Sequence, residues 1–451
     1  MLQIMPNRLK SVLKIVLWIG ILLVVIYLLF LIPRYEKYRK SNVSFDIDLP
    51  PLTAYAWPHA YTVGDSIKLF VHAEHSYRGT IYRVGDGGFT PVDSLVGHVV
   101  TQDEAYTLKS GHNWHITHSI LTTNWKPGFY IVALTLDGNS ARKFSVPVLV
   151  RSEEGNKILV VAPTNTWQAY NEYGGKSNYR DEVTPKDLST IFSFLKRVSP
   201  GLVPYTYLPA KRPFDHPFST APLDDSLALQ NGKITSDLYL IQYLEELGVD
   251  YGMISDTDLE KLVTPGKTEL VIFNNHSEYW SYGGMGSVKN LLAEGVDIAF
   301  LSGNNMYREI EALADGALIV LEQQLPRVAA EPILGTFYSA SGFQTLGSFR
   351  VAKEDHWIFD GTGLAVGDTF GGGIISGVET DKLGPYSEGF TLLAIGDNTS
   401  GPAHMVIKEM PAGNFIFNSS SVSSVRAIRT DTAWRRMIAN ILESSSSKRK
   451  Q

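Results

Sequence analysis

The sequence predicts an α/β fold: a parallel, doubly wound sheet preceded by an Ig-like β-sandwich and an N-terminal transmembrane helix. Three observations predict it. Ile158, Leu159, Val160 and Val161 are apolar without polar alternation, as in a strand buried on both faces. After them strand-like and helix-like runs alternate, the βαβα rhythm of a parallel sheet. Residues 52–151 instead break into short period-2 runs divided by turn signals, the pattern of a sandwich.

Taken in order, residues 1–14 form a short tail. From Ile15 to Ile32 every residue is apolar or Gly, and at about 1.5 Å per residue such a helix roughly spans a bilayer core. Pro33, Arg34 and Tyr35 follow where a cleaved signal would have small residues, so an uncleaved anchor over residues 15–33 is predicted. That makes a single-pass membrane protein. Arg8, Lys10 and Lys14 balance Arg34, Lys37, Arg39 and Lys40 across the span. The short tail and the absence of cysteine favour an extracytoplasmic soluble domain.

Residues 34–50 read as a linker and 51–152 as the sandwich, with runs such as SIKLFVHAE and GFYIVALTL between turns at Asp86-Gly87-Gly88 and Lys126-Pro127-Gly128. Residues 153–445 read as the α/β domain, and 446–451 as a solvated tail. Within that domain a helix is expected near Pro185–Arg197 and an extended run at Val203–Leu208. An amphipathic helix then runs from its N-cap Ser236 to Gly248. VDYGMIS, ELVIFNN, a helix through Val288–Glu294, VDIAFLSG and a helix from Met306 follow. Beyond Leu334 the chain is strand-rich through PAHMVIKEM and GNFIFNSSSV. A final helix, Thr432–Ser444, carries Trp434, Met437, Ile438 and Ile441 on one face.

Composition excludes several classes. A net charge of −6 with no basic stripe argues against nucleic acid. With no cysteine there is no disulfide, thiolate metal site or Cys nucleophile. No G-x-S-x-G elbow, H-E-x-x-H or Walker loop occurs. Gly284-Met285-Gly286-Ser287 lacks the third glycine of a dinucleotide loop and reads as a turn. His112, His115 and His118 do not share one strand face, and His118 lies with Trp114, Ile116 and Ile120, so packing rather than metal is expected there.

The chemistry is predicted where strands end. The strand at Lys157 ends in TNTWQAYNE, VDYGMIS in Asp256 and Asp258, ELVIFNN in His276, Glu278, Tyr279 and Trp280, and VDIAFLSG in Asn304, Asn305 and Tyr307. In a parallel sheet these ends share one edge, where ligands bind. Glu278, flanked by His276, is the candidate general base or metal ligand, and Tyr170 the candidate phenol. Trp167, Asn171, Tyr173 and Trp280 are candidate substrate contacts.

NTWQAYNEYGG, RPF at Arg212–Phe214, HSEYWS at His276–Ser281 and FLSGNNMYRE at Phe300–Glu309 resemble the large-subunit family of N,N-dimethylformamidase, in the family's order. IYRVG, NWKPGFYIVAL and PAGNFIFNSSSV extend the resemblance over most of the chain. It implies a glutamine-amidotransferase-like (flavodoxin-like) α/β domain beside the sandwich. It further implies a mononuclear iron, held by two Tyr phenolates and one Glu, that activates water against a formamide C–N bond. Glu278 matches the carboxylate motif, and Tyr170 is taken as one phenolate. The second should lie near Arg212-Pro213, where Phe214 stands and cannot bind metal; Tyr207 is taken in its place, with Tyr205 and Tyr179 as alternatives. His276 and Asn304 are further catalytic candidates, either one to orient substrate or stabilise an oxyanion in the metal site so implied. The implied activity is that of a membrane-anchored amidohydrolase-like protein acting on a small-molecule amide, with a small partner subunit or a second copy of itself. The rival is a non-catalytic envelope module binding a sugar or small amide in the aromatic crevice.

Overall fold

The structure is a computed structural model, and it describes residues 7–39, 43–153, 155–186, 188–190, 206–214, 234–262, 266–338 and 345–447. Ile158–Ala162 (β1) is buried at every position, because its side chains meet apolar partners on both faces of the sheet. The same sheet contains Tyr251–Ser255 (β2), Leu270–Asn275 (β3), Asp297–Ser302 (β4), Phe349–Val351 (β5), Thr369–Phe370 (β6), Thr391–Gly396 (β7), His404–Glu409 (β8) and Phe415–Asn418 (β9). Their order is β2-β1-β3-β4-β9-β8-β7-β5-β6.

This arrangement corrects the expected fold class. The first five strands pair in parallel, but β8, β7, β5 and β6 extend the sheet antiparallel. With 38% strand against 25% helix, and seven sheets among the described residues, the chain is mostly β and not a parallel α/β flavodoxin-like fold. The physical reason lies in the connections. The link from β8 to β9 is a tight turn closed by Met410 N–H to Asn414 O at 2.7 Å, and so short a link permits only antiparallel pairing. The expected helix from Met306 is also replaced: Arg308–Ala312 and Leu318–Gln324 form an antiparallel hairpin.

A second correction concerns the N-terminus. Residues Asn7–Arg39 form one helix that runs through Pro33 into Arg34, Lys37 and Arg39 rather than ending there. Among the described residues no helix is long and apolar enough to cross a membrane, so the predicted anchor and single-pass localisation are not supported. The helix expected at Pro185–Arg197 and the run at Val203–Leu208 lie largely outside the described residues, apart from the strand Thr206–Leu208.

Between residues 52 and 151 a five-stranded sheet (Ala60–Thr62, Asn139–Arg151, Gly128–Leu136, Tyr77–Gly85, Gly88–Gly97) faces a three-stranded one (Leu52–Ala56, Ser66–Ala73, His118–Leu121). Ile67, Leu69, Val71, Ile81 and Val132 fill the space between them. The outer face of the larger sheet also packs. Val84, Phe129, Ile131 and Leu149 join the core made by β1, β2 and the helix Leu238–Glu246. Arg83 seals this junction, donating Nη1 and Nη2 to the two oxygens of Glu245, each at 2.6 Å.

Candidate functional site

The parallel strands β1, β3, β4 and β9 point their carboxyl ends at one edge, and the chain leaves each in a different way. β1 runs directly into the helix Thr164–Tyr170. Asp256, just past β2, secures the start of that helix by accepting from Asn165 N at 3.1 Å and Thr164 Oγ1 at 2.6 Å. Arg212, almost fully buried, donates to the carbonyls of Gln168 at 2.8 Å and of Tyr173 and Lys176 at 3.0 Å. That clamp folds the following loop back so that Tyr179 lies beside Tyr170, ring centroids 4.4 Å apart. The RPF motif therefore supplies a strut, not a ligand. Phe214 packs against Trp167 and His59.

After β3, Asn275 adopts φ 57° and turns the chain so that His276 and Glu278 project into the same space. After β4, Gly303 is required by close approach: a Cβ there would lie 2.5 Å from Val422 N and 2.7 Å from Glu379 O. All five positive-φ non-glycine residues among the described residues adjoin this edge: Asn275, Asn304, Met306, Val378 and Ser420. Val378 is β-branched, so its left-handed conformation is a true outlier. Backbone strain concentrated at one place is the mark of a site held against local preference.

The side chains so positioned form one cluster, with Glu278, His276 and Tyr279 buried and Tyr179, at 52% exposure, facing solvent. Glu278 Oε2 accepts from Tyr170 Oη at 3.2 Å, and its two oxygens lie 3.2 and 3.1 Å from Tyr179 Oη. Tyr279 Oη donates to Tyr179 Oη at 2.7 Å and accepts from Asn178 at the same distance. His276 Nε2 lies 3.5 Å from Glu278 and 3.1 Å from Glu379, close enough to pair with either when protonated. Neither ring nitrogen of His276 has an aligned hydrogen-bond partner among the described residues. Glu379 accepts from Asn304 Nδ2 at 2.6 Å, and Asp381 from Asn304 N at 2.9 Å. One oxygen or nitrogen each of His276, Glu278 and Glu379 fits within 4.8 Å.

The electrostatics are those of a site short of positive charge. Burial and the neighbouring Glu278 raise the Tyr170 and Tyr179 phenols well above their ordinary range. Burial raises Glu278, with Glu379 adding to the shift against His276 and Arg308. Burial likewise lifts Asp381 to about 7. His276 moves the other way from most buried histidines. Burial disfavours its cation, yet Glu379 and then Glu278 outweigh that and raise its pKa.

Of the residues predicted from sequence, Tyr170, His276 and Glu278 meet here, and Asn304 reaches the cluster through Glu379. Tyr207 does not: it pairs with Ile319 in a separate sheet and, among the described residues, makes no bond to Glu278. Tyr179 occupies the place intended for it, while Tyr205 lies outside the described residues. The predicted substrate contacts are taken up by packing. Trp167 Nε1 donates to Asp237 at 3.1 Å, Trp280 Nε1 to Ser277 O at 2.8 Å, and Asn171 Nδ2 to Pro213 O at 2.9 Å. Tyr173 Oη bonds His112 at 2.9 Å. Among the described residues Trp167, Tyr173 and Trp280, three of the five aromatics assigned to the binding crevice, are buried and hydrogen-bonded within the protein. The sequence reading missed Glu379 and Asp381, which sit in a strand-rich stretch with no motif; the Gly371–Gly373 run and the later Ser419–Ser421 run were the available signals. His118 packs as expected, bonded to Tyr77 Oη at 2.7 Å.

The donor set also fits a cation. Two ligands each about 2 Å from one ion lie about 3 Å from each other, close to the spacing of Glu278 from both phenols. The carboxylates oppose ionisation of either phenol, and a bound cation is what would reverse that.

This arrangement defines a β-rich protein with an acid–phenol–imidazole cluster at the carboxyl ends of parallel strands. The chain belongs to the N,N-dimethylformamidase beta subunit-like family, whose C-terminal profile matches residues 79–328 and 322–434. Every cluster residue falls within those matches. No curated protein matches the chain. Among solved structures it is similar to a putative ThuA-like protein from Bacteroides uniformis, at 10% identity and a TM-score of 0.34, over 52% of this chain and 96% of that one. It is also similar to a family 39 glycoside hydrolase from Bacteroides cellulosilyticus, at 15% identity and a TM-score of 0.15, over 57% and 51% of the two chains. At those TM-scores neither likeness carries a structural argument.

Proposed function

We propose that this protein hydrolyses a carboxamide C–N bond at a metal centre held by Tyr170, Tyr179 and Glu278. The observation that carries the reading is the convergence of two phenols on one buried carboxylate, 3.1–3.2 Å apart, beside the His276 imidazole, which lies 3.1 Å from Glu379. Hard phenolate and carboxylate oxygens suit Fe(III), and bound there it would supply Lewis-acid activation of water and of the acyl oxygen. The protein's own groups do the rest. His276, raised in pKa and set between Glu278 and Glu379, accepts a proton from water and returns it to the departing nitrogen. Water oxygen bonds to the acyl carbon, the C–N bond breaks, and an acid and an amine leave with no change of oxidation state. Asn304 acts through Glu379, to which its amide already donates, so it is a positioning residue rather than an oxyanion donor.

Metal analysis and visible absorption of the purified full-length chain test this. The expected result is about one iron per chain with a phenolate-to-iron band, as one three-ligand site implies. Glu278→Ala is expected to lose both iron and formamide hydrolysis, and Tyr170→Phe to bleach the band. Iron retained at full stoichiometry in Glu278→Ala overturns the ligand set.

A further inference from the structure

We infer that Arg308 forms an anion-binding subsite beside Glu278, so that the amide this protein acts on carries a carboxylate in the same molecule. The inference rests on reading the site as a C–N hydrolase and names its substrate class. Arg308 lies with Tyr179 on the open side of the cluster: its side chain keeps 28% exposure, where Glu278 keeps 2% and His276 none. Its backbone is fixed, because Arg308 N donates to Glu278 O at 2.9 Å. Its guanidinium stacks over the Tyr307 ring at 5.1 Å, and Tyr307 in turn meets Tyr338 edge-on. The head group is thus held at the mouth by the same backbone that presents Glu278.

The guanidinium is only loosely engaged there, as an ion pair with Glu278 made through Nε. Nε lies 3.6 Å from Glu278 Oε1, beyond hydrogen-bond range, and is buried without an acceptor. The terminal nitrogens have no hydrogen-bond acceptor among the described residues. Four other arginines use their terminal nitrogens. Arg83 forks onto Glu245, Arg180 bridges Glu172 and Glu182, Arg436 forks onto Glu443, and Arg212 is spent on three carbonyls. An anchored guanidinium with free donors, facing a reaction centre, matches a planar anion approached from solvent. Glu278 does not serve as that anion, because its oxygens are already directed at the two phenols. A neutral dialkylamide offers Arg308 nothing. An N-acyl amino acid places a carboxylate two bonds from the scissile nitrogen, within reach of a group that touches the ligand carboxylate.

The test compares N-formylglycine with its neutral N-methylamide, using the full chain, by calorimetric binding and by hydrolysis. Wild type is expected to favour N-formylglycine. Arg308→Gln is expected to weaken that preference about 10- to 100-fold, the worth of a charge-assisted pair, and to change the neutral amide less than about threefold. Arg308→Lys should restore part of the loss, and also serves if Arg308→Gln fails to fold. Equal losses on both compounds, or no carboxylate preference in wild type, overturn the subsite. Arg308-dependent binding of N-formylglycine without turnover keeps the subsite and removes the hydrolase. Turnover of both compounds at rates equally indifferent to Arg308 does the reverse.

Discussion

At the junction between sandwich and central sheet, Glu245 receives both arms of the Arg83 guanidinium at 2.6 Å, and Arg83 also donates to Pro127 O. At the end of β3, Glu278 is more deeply buried but faces two phenols, an imidazole and, beyond it, Glu379. The histidines divide the same way. His59 and His112, buried among aromatic rings, are pushed down to about 4 by burial. His276, as deeply buried, is raised because burial there is outweighed by Glu379 and Glu278. A junction needs its charges cancelled, since an unpaired buried charge costs several kcal/mol. The site only partly offsets its negative charge, through His276 and a 3.6 Å contact from Arg308, and holds it with strained backbone. That difference separates a structural ion pair from a place prepared for a cation.

Breaking each side of this comparison should give opposite results. The largest effect is expected from Glu278→Ala: metal content falls to near zero and hydrolysis drops by more than about a thousandfold, while the metal-free fold is not weakened. Metal analysis beside chemical denaturation measures both. Next is Arg83→Met, which leaves Glu245 without its partner. It is expected to cost about 2–4 kcal/mol of stability with metal content unchanged, so a normal denaturation midpoint would count against the junction's role.

The pH dependence sharpens the contrast. Asp381 is raised from 3.8 to about 7 by burial, and Glu278 is raised as well. A carboxyl raised in the fold gives stability that is full below its unfolded pKa and is lost as pH climbs through the folded one. The metal-free protein should therefore lose on the order of 2–4 kcal/mol between pH 4 and 7, because each tenfold difference in proton affinity between folded and unfolded chain is worth about 1.4 kcal/mol. Added iron should flatten that slope, and a slope unaffected by metal would detach Asp381 and Glu278 from the site. Smaller still, Tyr179→Phe is expected to weaken metal binding about 10- to 100-fold. Tyr173→Phe, which loses the bond to His112, should cost about 1 kcal/mol of stability and nothing in metal affinity.

Much of the site was legible in the sequence, and the reason is local. Tyr170, His276 and Glu278 each follow an apolar strand by a few residues, so the strand's direction fixes which edge they reach. Tyr179 was harder to place, because Arg212 is what folds its loop back, and that contact joins residues more than thirty apart. Glu379 and Asp381 were not legible. No motif contains them, the nearby Gly371–Gly373 run being the one local signal, and they arrive because Val378 takes φ 68° and Gly303 leaves room for their backbone.

By itself the sequence determined which segments are strands buried on both faces, the sandwich pattern before them, and the family to which the chain belongs. Those follow from side-chain period and motif order, which are properties of the chain read locally. The tertiary structure alone decided that four antiparallel strands extend the sheet, that Tyr179 rather than Tyr207 meets Glu278, and that the aromatics near the site pack inward. Each of those depends on which distant backbone comes within about 3 Å of another, and hydrogen bonds of that reach leave no periodic trace in sequence.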